Sequence, residues 1–138
     1  MTALPTILHE PIQALLDEGD KYFDKGKFDE ALTKYEEAQA LLPSDTERWE
    51  ASSWVLAAIG DTCFLTGDYL RGQQALDQAS RCPEGATNAF IQLRLGQCEF
   101  ELGRLDQAVV ALSLAFATGG EEVFEDEDAK YRGCVHQR

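Results

Sequence analysis

The chain has 138 residues, a length that suits one domain, and its 44% hydrophobic and 27% charged residues can build a core rather than a disordered chain. Twelve Lys and Arg stand against twenty-five Asp and Glu, a formal net charge of −13, which excludes the basic stripe that nucleic acid requires and docking on an anionic membrane surface. The natural complement of such a field is a basic protein.

The longest apolar run, Trp54 to Ile59, is far too short for a membrane span. Residues 1–20 show no basic stretch followed by an apolar one, so no secretory leader is visible. Cys63, Cys82, Cys98 and Cys134 form no C-x-x-C pair. In a chain with this much core material they read as reduced, mostly buried thiols of a cytoplasmic protein.

Taken in order, the chain repeats itself. A first helix bearing Leu15, Gly19 and Tyr22 closes at Gly26, where a left-handed residue would end it. A second helix starts near Phe28 and carries Ala31, Tyr35 and Ala38 on one face, and Pro43 follows it. The same pattern returns twice, at offsets of 41 and then 36 residues: Gly19, Gly60, Gly96; Gly26, Gly67, Gly103; Phe28, Tyr69, Leu105; Ala31, Gly72, Ala108; Tyr35, Leu76, Leu112; Ala38, Ala79, Ala115. A small residue lets two helices approach, and the ring or Leu four residues later fills the space above it.

Between the first and second units the spacing is longest. Ser44–Asp45–Thr46–Glu47 has the S-x-x-E form of a capping box, which predicts a helix starting there and running to about Thr66, two turns longer than its counterparts. That extension would project by about 10 Å and carry Trp49, with Trp54 just beyond it. Either the N-terminal segment, through Leu4, Ile7 and Leu8, covers the two tryptophans, or they are anchors for a partner. After the second unit, Pro83 would end a helix and Thr87 or Asn88 would cap the next. The run Glu121 to Asp128 leads into a last amphipathic stretch with Tyr131, Cys134 and Val135 on one face. It reads as a terminal cap with a polar outer side, or as an acidic interaction tail.

These columns resemble the tetratricopeptide repeat family, whose unit of about 34 residues places small, aromatic and proline residues in a fixed order. The first unit is the nearest match, through Leu15, Gly19, Tyr22, Ala31, Tyr35, Ala38 and Pro43. The second departs at Gly72 and Cys63, and the third at Glu99. The resemblance implies an all-α, right-handed helical solenoid of three helix pairs plus a C-terminal capping helix. It would be one domain over residues 1–138, with repeats at about 12–45, 46–86 and 87–120 and the cap at 121–138. It also implies that the first helix of each unit lines a concave groove.

Counted from the shared glycines, that face offers Gln13, Leu16, Asp20, Phe23 and Asp24 in the first unit. The second offers Trp54, Ala57, Asp61, Phe64 and Leu65, and the third Phe90, Leu93, Arg94, Gln97, Phe100 and Glu101. Phe23, Phe64 and Phe100 form one more column and would lie side by side. The partner-binding set is therefore Asp20, Phe23, Asp24, Trp49, Trp54, Asp61, Phe64, Phe90, Arg94, Gln97, Phe100 and Glu101. The rings would supply apolar contact, the acids would select a basic partner, and Arg94 would anchor a carboxylate or a backbone carbonyl. The carboxylate clamp of some co-chaperones in the family is not matched: its places hold Leu16, Asp20, Ala58, Phe90 and Arg94, of which only Arg94 fits. The N-terminal segment or the final helix could instead fold back and fill the groove.

Catalysis finds little support. His9 and His136 lie in opposite terminal segments, and no phosphate-cradling glycine motif or nucleophile–base pattern is present. No catalytic, cofactor-binding or metal-binding residue is assigned. The function expected is protein binding through an acidic, aromatic groove that neutralises or chaperones a basic protein, as small proteins resembling this family do in toxin immunity and in secretion. The alternatives are a general adaptor in a multiprotein complex and a self-assembling structural protein.

Overall fold

The computed structural model describes residues 6–135, and Leu4 and His136 therefore lie outside the described residues. The described chain is all-α: α1 (Thr6–Asp24), α2 (Phe28–Ala40), α3 (Glu50–Thr66), α4 (Tyr69–Ser80), α5 (Ala89–Glu101), α6 (Leu105–Gly119) and a one-turn α7 (Ala129–Arg132). Short 3-10 turns at Thr46–Arg48 and Glu121–Phe124 interrupt the connections. Helices α1 and α2, α3 and α4, and α5 and α6 pack as pairs, and each pair touches the next through α2 on α3 and α4 on α5. Each unit thus meets its sequence neighbours, the packing mode of repeat arrays.

The pairs close in the same way. Gly26, Gly67 and Gly103 have φ of +74°, +85° and +78°, the left-handed region that a side chain disfavours. At Gly67 the following Asp68 N–H donates to the Cys63 carbonyl (2.8 Å) and the Gly67 N–H to that of Phe64 (3.2 Å). This double bond to the last turn is a Schellman closure, and Lys27 with Gly26 and Arg104 with Gly103 repeat it. Asp68 and Asn88 then cap α4 and α5, accepting from the Arg71 and Ile91 N–H groups.

The apolar interior follows the same register. Ala31, Tyr35 and Ala38 of α2 are buried against Ile12, Leu16, Val55 and Ile59. Leu56, Leu76, Ala79, Ile91 and Cys98 fill the middle of the molecule. Leu93, Ala108, Leu112 and Ala115 meet Phe124, Tyr131 and Val135 at the C-terminal end. Burial of each large side chain among these contributes about 1.5–3 kcal/mol.

One expectation needs correcting. The residues after Pro43 do not begin a long projecting helix. Thr46–Arg48 is a single 3-10 turn, the Thr46 hydroxyl donates back to the Pro43 carbonyl (3.0 Å), and Trp49 is extended (φ −108°, ψ 135°), so α3 starts only at Glu50. The break turns the Trp49 ring onto the first core cluster, while its Nε1–H donates to Asp45 Oδ1 (3.0 Å). The expected C-terminal capping helix is present as the one-turn α7, within a strap (residues 120–135) that also holds the second 3-10 turn and folds back across α5.

Candidate protein-binding groove

The first helices of the pairs, α1, α3 and α5, carry the residues that the repeat pattern assigns to one shared face. The structure divides this face into two unlike halves.

Between α1 and α3 it is open. A cavity of about 280 Å³ is lined by Gln13, Leu16, Asp20, Trp54 and Ala58. Trp54 is 40% exposed, a large apolar side chain that water would otherwise expel. The His9 ring packs edge-on against it at 5.8 Å, so the start of α1 covers one side of the indole only. Asp20 is exposed at the rim, and its Oδ1 accepts the Tyr35 hydroxyl (2.6 Å), which fixes the carboxylate in position. Burial and that bond push the Tyr35 phenol well above its usual range. Of the expected covers Leu4, Ile7 and Leu8, the first lies outside the described residues, Leu8 is partly buried against the first core cluster, as Trp49 is, and Ile7 is 81% exposed.

Between α3 and α5 the face is covered by the strap. Arg94 stands at its centre with a side chain only 10% exposed. Its Nε–H donates to Asp61 Oδ1 (2.8 Å), and its Nη1 group donates to Gln97 Oε1 (2.7 Å) and to Glu127 Oε1 of the strap (2.7 Å). Gln97 Nε2 donates to the same Glu127 oxygen (2.7 Å). The guanidinium lies over the rings of Phe64 (4.8 Å) and Phe90 (5.1 Å). Two carboxylates therefore share one buried cation. Burial raises the Asp61 carboxyl above its ordinary range; Arg94 opposes the rise and Glu127 adds to it.

Beside Arg94, Tyr131 of the strap packs edge-to-face with Phe100 (5.4 Å) and Phe64 (6.2 Å). Its hydroxyl donates to Glu101 Oε2 (2.7 Å), and Lys130 Nζ pairs with the same oxygen (2.9 Å). These two bonds hold the Glu101 carboxyl below its usual range, the tyrosine contributing most. Burial and Glu101 push the Tyr131 phenol well up.

Arg94 does hold carboxylates, and both belong to its own chain. Phe64, Gln97, Phe100 and Glu101 join it under the strap, and Asp61 and Phe90 are its neighbours. Phe23 packs instead on Phe28 (5.2 Å), as Phe64 does on Tyr69 (5.9 Å), so two rings of the three-ring column are tied to the following helices, while Phe100 meets Tyr131 of the strap. Asp24 is exposed at the end of α1. Trp49 sits in the turn before α3 with Arg48 over its ring (4.8 Å), away from the cavity. Sequence reasoning missed Glu127 as a partner of Arg94 and Gln97, and Lys130 as a partner of Glu101. Tyr131 was legible only as an apolar position of the final stretch.

Cys63, Cys82 and Cys98 are buried and unpaired, and burial raises their thiols to about 11, 11 and 12, which makes them inert core residues. Among the described residues no group of His, Cys, Asp and Glu is placed to hold a metal ion. No helix among them is long and apolar enough to cross a membrane.

A tetratricopeptide repeat family model matches residues 12–45, which span most of α1, all of α2 and the turn that follows. The chain thus carries a helix–turn–helix repeat of that type at its first pair. No curated protein matches the chain.

Proposed function

We propose that the chain is a tetratricopeptide array of three helix pairs wound as a right-handed solenoid, and that it acts without catalysis by binding a basic protein segment on its concave face. The observation that carries the reading is the open α1–α3 cavity, where the 40%-exposed Trp54 faces a rim bearing Asp20. An apolar anchor beside fixed acids suits a segment that alternates basic and apolar side chains. The net charge of −13 would speed encounter with such a partner. Asp20, Asp24 and Trp54 form the accessible part of the site, with Phe23 at its margin, while Phe90 stacks on Arg94 at the edge of the covered half. Asp61, Phe64, Arg94, Gln97, Phe100 and Glu101 belong to the half now covered by the strap, and Trp49 braces the start of α3. Neutralising or chaperoning the bound protein follows from occupying its basic surface.

The test uses Trp54 emission in a Trp49→Phe background, titrated with synthetic peptides that alternate Lys or Arg with Leu. Binding that shifts the emission and weakens steeply with salt supports the reading. Trp54→Ala and Asp24→Lys should each weaken binding at least tenfold, scored for Trp54→Ala with a labelled peptide, at unchanged helicity. Equal binding of peptides with Glu in place of Lys and Arg would overturn it.

A further inference from the structure

The outer side of α6 departs from its counterparts. Residues 107–120 contain no Asp, Glu, Lys or Arg, in a chain whose net charge is −13. Val110 and Leu114, one helical turn apart, are 61% and 46% exposed. The repeat offsets place Gln74 and Gln78 at the same positions of α4, and Thr33 and Glu37 at those of α2. The third unit thus carries an uncharged, apolar strip where the first two are polar. A cavity of about 340 Å³ adjoins the strip, walled by Gln92 and Leu95 of α5 and by Gln107, Val110 and Ala111 of α6. The matching groove of the second unit holds about 170 Å³ and is lined by Gln39, Arg71, Gln74 and Gln78. Gln92 and Leu95 lie about half a turn round α5 from Arg94 and Gln97, so this cavity is on the side of α5 away from the strap.

The strip offers both a knob and a hole. Leu114 lies one turn beyond Val110, outside the cavity. When two α6 helices run antiparallel about residue 112, Leu114 of each falls opposite Val110 and the cavity of the other. Both contacts form at once, which is the self-complementarity that a two-fold contact requires. The charges agree with that pairing. It sets Arg104, whose side chain is 42% exposed at the head of α6, toward the exposed Glu121 and Glu122 at the tail of the other copy. Of the two acids at the head of the cavity, Glu99 is buried and accepts from Arg104 (3.2 Å), and Asp106 would face the uncharged Thr118. Two copies of charge −13 repel over most of their surfaces, and this strip lets them touch without setting carboxylate against carboxylate.

We infer that this face is a contact between two copies of the chain, formed by α6 against α6 about a two-fold axis. It goes beyond the groove reading, because it uses a different surface and leaves the α1–α3 cavity open in both copies. A dimer then offers two such cavities to one partner, and simultaneous engagement raises the strength of binding without a new contact. One helix face per copy is smaller than the roughly 800 Å² per partner of a standard interface. The dimer is therefore weak and forms at high protein concentration.

The experiment is sedimentation velocity of the full chain from micromolar to millimolar concentration, in about 0.05 M and about 0.5 M salt. The expected result is a sedimentation coefficient that rises with concentration toward that of a dimer and no further. Association should be stronger at the higher salt, because screening weakens the repulsion between like-charged copies. The Val110→Gln/Leu114→Gln variant gives α6 the residues that α4 carries at these places. It should weaken the dimer at least tenfold at unchanged helicity by circular dichroism, since both side chains are exposed and Gln suits a helix. A monomer at every concentration and both salts overturns the inference, as does a dimer that persists in the glutamine variant or weakens with salt. Loss of Lys–Leu peptide binding in that variant would assign the strip to a basic segment and also overturn it. The Trp54 titration, run on dilute protein, reads the α1–α3 cavity separately, so failure here leaves that result standing, and the reverse.

Discussion

Leu76 packs so closely over Gly60 that a Cβ at residue 60 would overlap the leucine Cγ. The contact recurs at Gly19 with Tyr35 and at Gly96 with Leu112. Each pair of helices is thus locked by one hole and one knob, and the knobs Tyr35, Leu76 and Leu112 are all almost completely buried. Gly60→Ala gains up to about 1 kcal/mol of helix propensity but forces a buried side chain off its site, an overpacking cost of about 1–3 kcal/mol. Leu76 is fully buried and meets the added Cβ with its Cγ and both methyls, so the cost wins. Urea denaturation should show a lower midpoint at unchanged slope, and adding Leu76→Ala to Gly60→Ala should cost less than the sum of the two single changes.

Gly67 is constrained differently. Nothing lies within 4 Å of a Cβ built there, so a substitution meets no neighbour and pays only for its φ of +85°. Gly67→Ala should therefore lose about 1 kcal/mol, and Gly67→Asn less, because Asn tolerates the left-handed region. Gly103→Ala should behave alike, and the double variant should be additive, since the two closures share no partner. Thermal unfolding followed by circular dichroism distinguishes this case from the packing glycines.

These two sets of glycines were legible in the sequence because each serves a local rule: one residue type, at one offset, for one backbone or packing reason. The alanine column and the Tyr35, Leu76, Leu112 column were legible on the same ground. The break at Trp49 was not, because Ser44 to Glu47 satisfies a helix-start pattern locally while the burial of the Trp49 ring, a tertiary demand, overrides it. That the final helix could fold back was legible, but the contacts it makes on α5 were not. Nothing in the spacing of Glu127 and Tyr131 says that they meet Arg94 and Phe100, some 30 residues earlier, and an acidic run carries no address until the fold supplies the buried cation.

Asp61 and Glu101 should give opposite pH signatures. The Asp61 carboxyl is raised, chiefly by burial. Its contribution is fully present below the unfolded value of about 3.9 and is lost as pH rises through the folded value, so at pH 7 the ionised group carries a cost. Asp61→Asn should hold or raise the melting temperature at pH 7, with the difference from the parent chain vanishing toward pH 3. Glu101 is lowered by Tyr131 and Lys130. Its stabilisation is present above about 4.3 and is lost as pH falls through the folded value. Glu101→Gln should therefore lower the melting temperature at pH 7 and converge with the parent in acid. Melting curves from pH 3 to 8 on both variants check the signs.

Arg94 is where the helices and the strap meet. Its guanidinium satisfies Asp61, Gln97 and Glu127 while almost fully buried and sandwiched by Phe64 and Phe90. Arg94→Ala would leave two neighbouring carboxylates, with side chains 18% and 16% exposed, without their shared cation. Breaking such a pair costs about 3–5 kcal/mol, more than the ion pair adds over an apolar replacement. Arg94→Lys should fall between, because an ammonium cannot serve all three acceptors in the plane that the two rings impose. The loss should shrink on acidification, as the orphaned carboxylates take up protons and repel each other less. A thermal denaturation series that finds Arg94→Ala equally destabilised at pH 4 and pH 8 would mean that the lost cation–ring packing, rather than the unpaired acids, sets the cost.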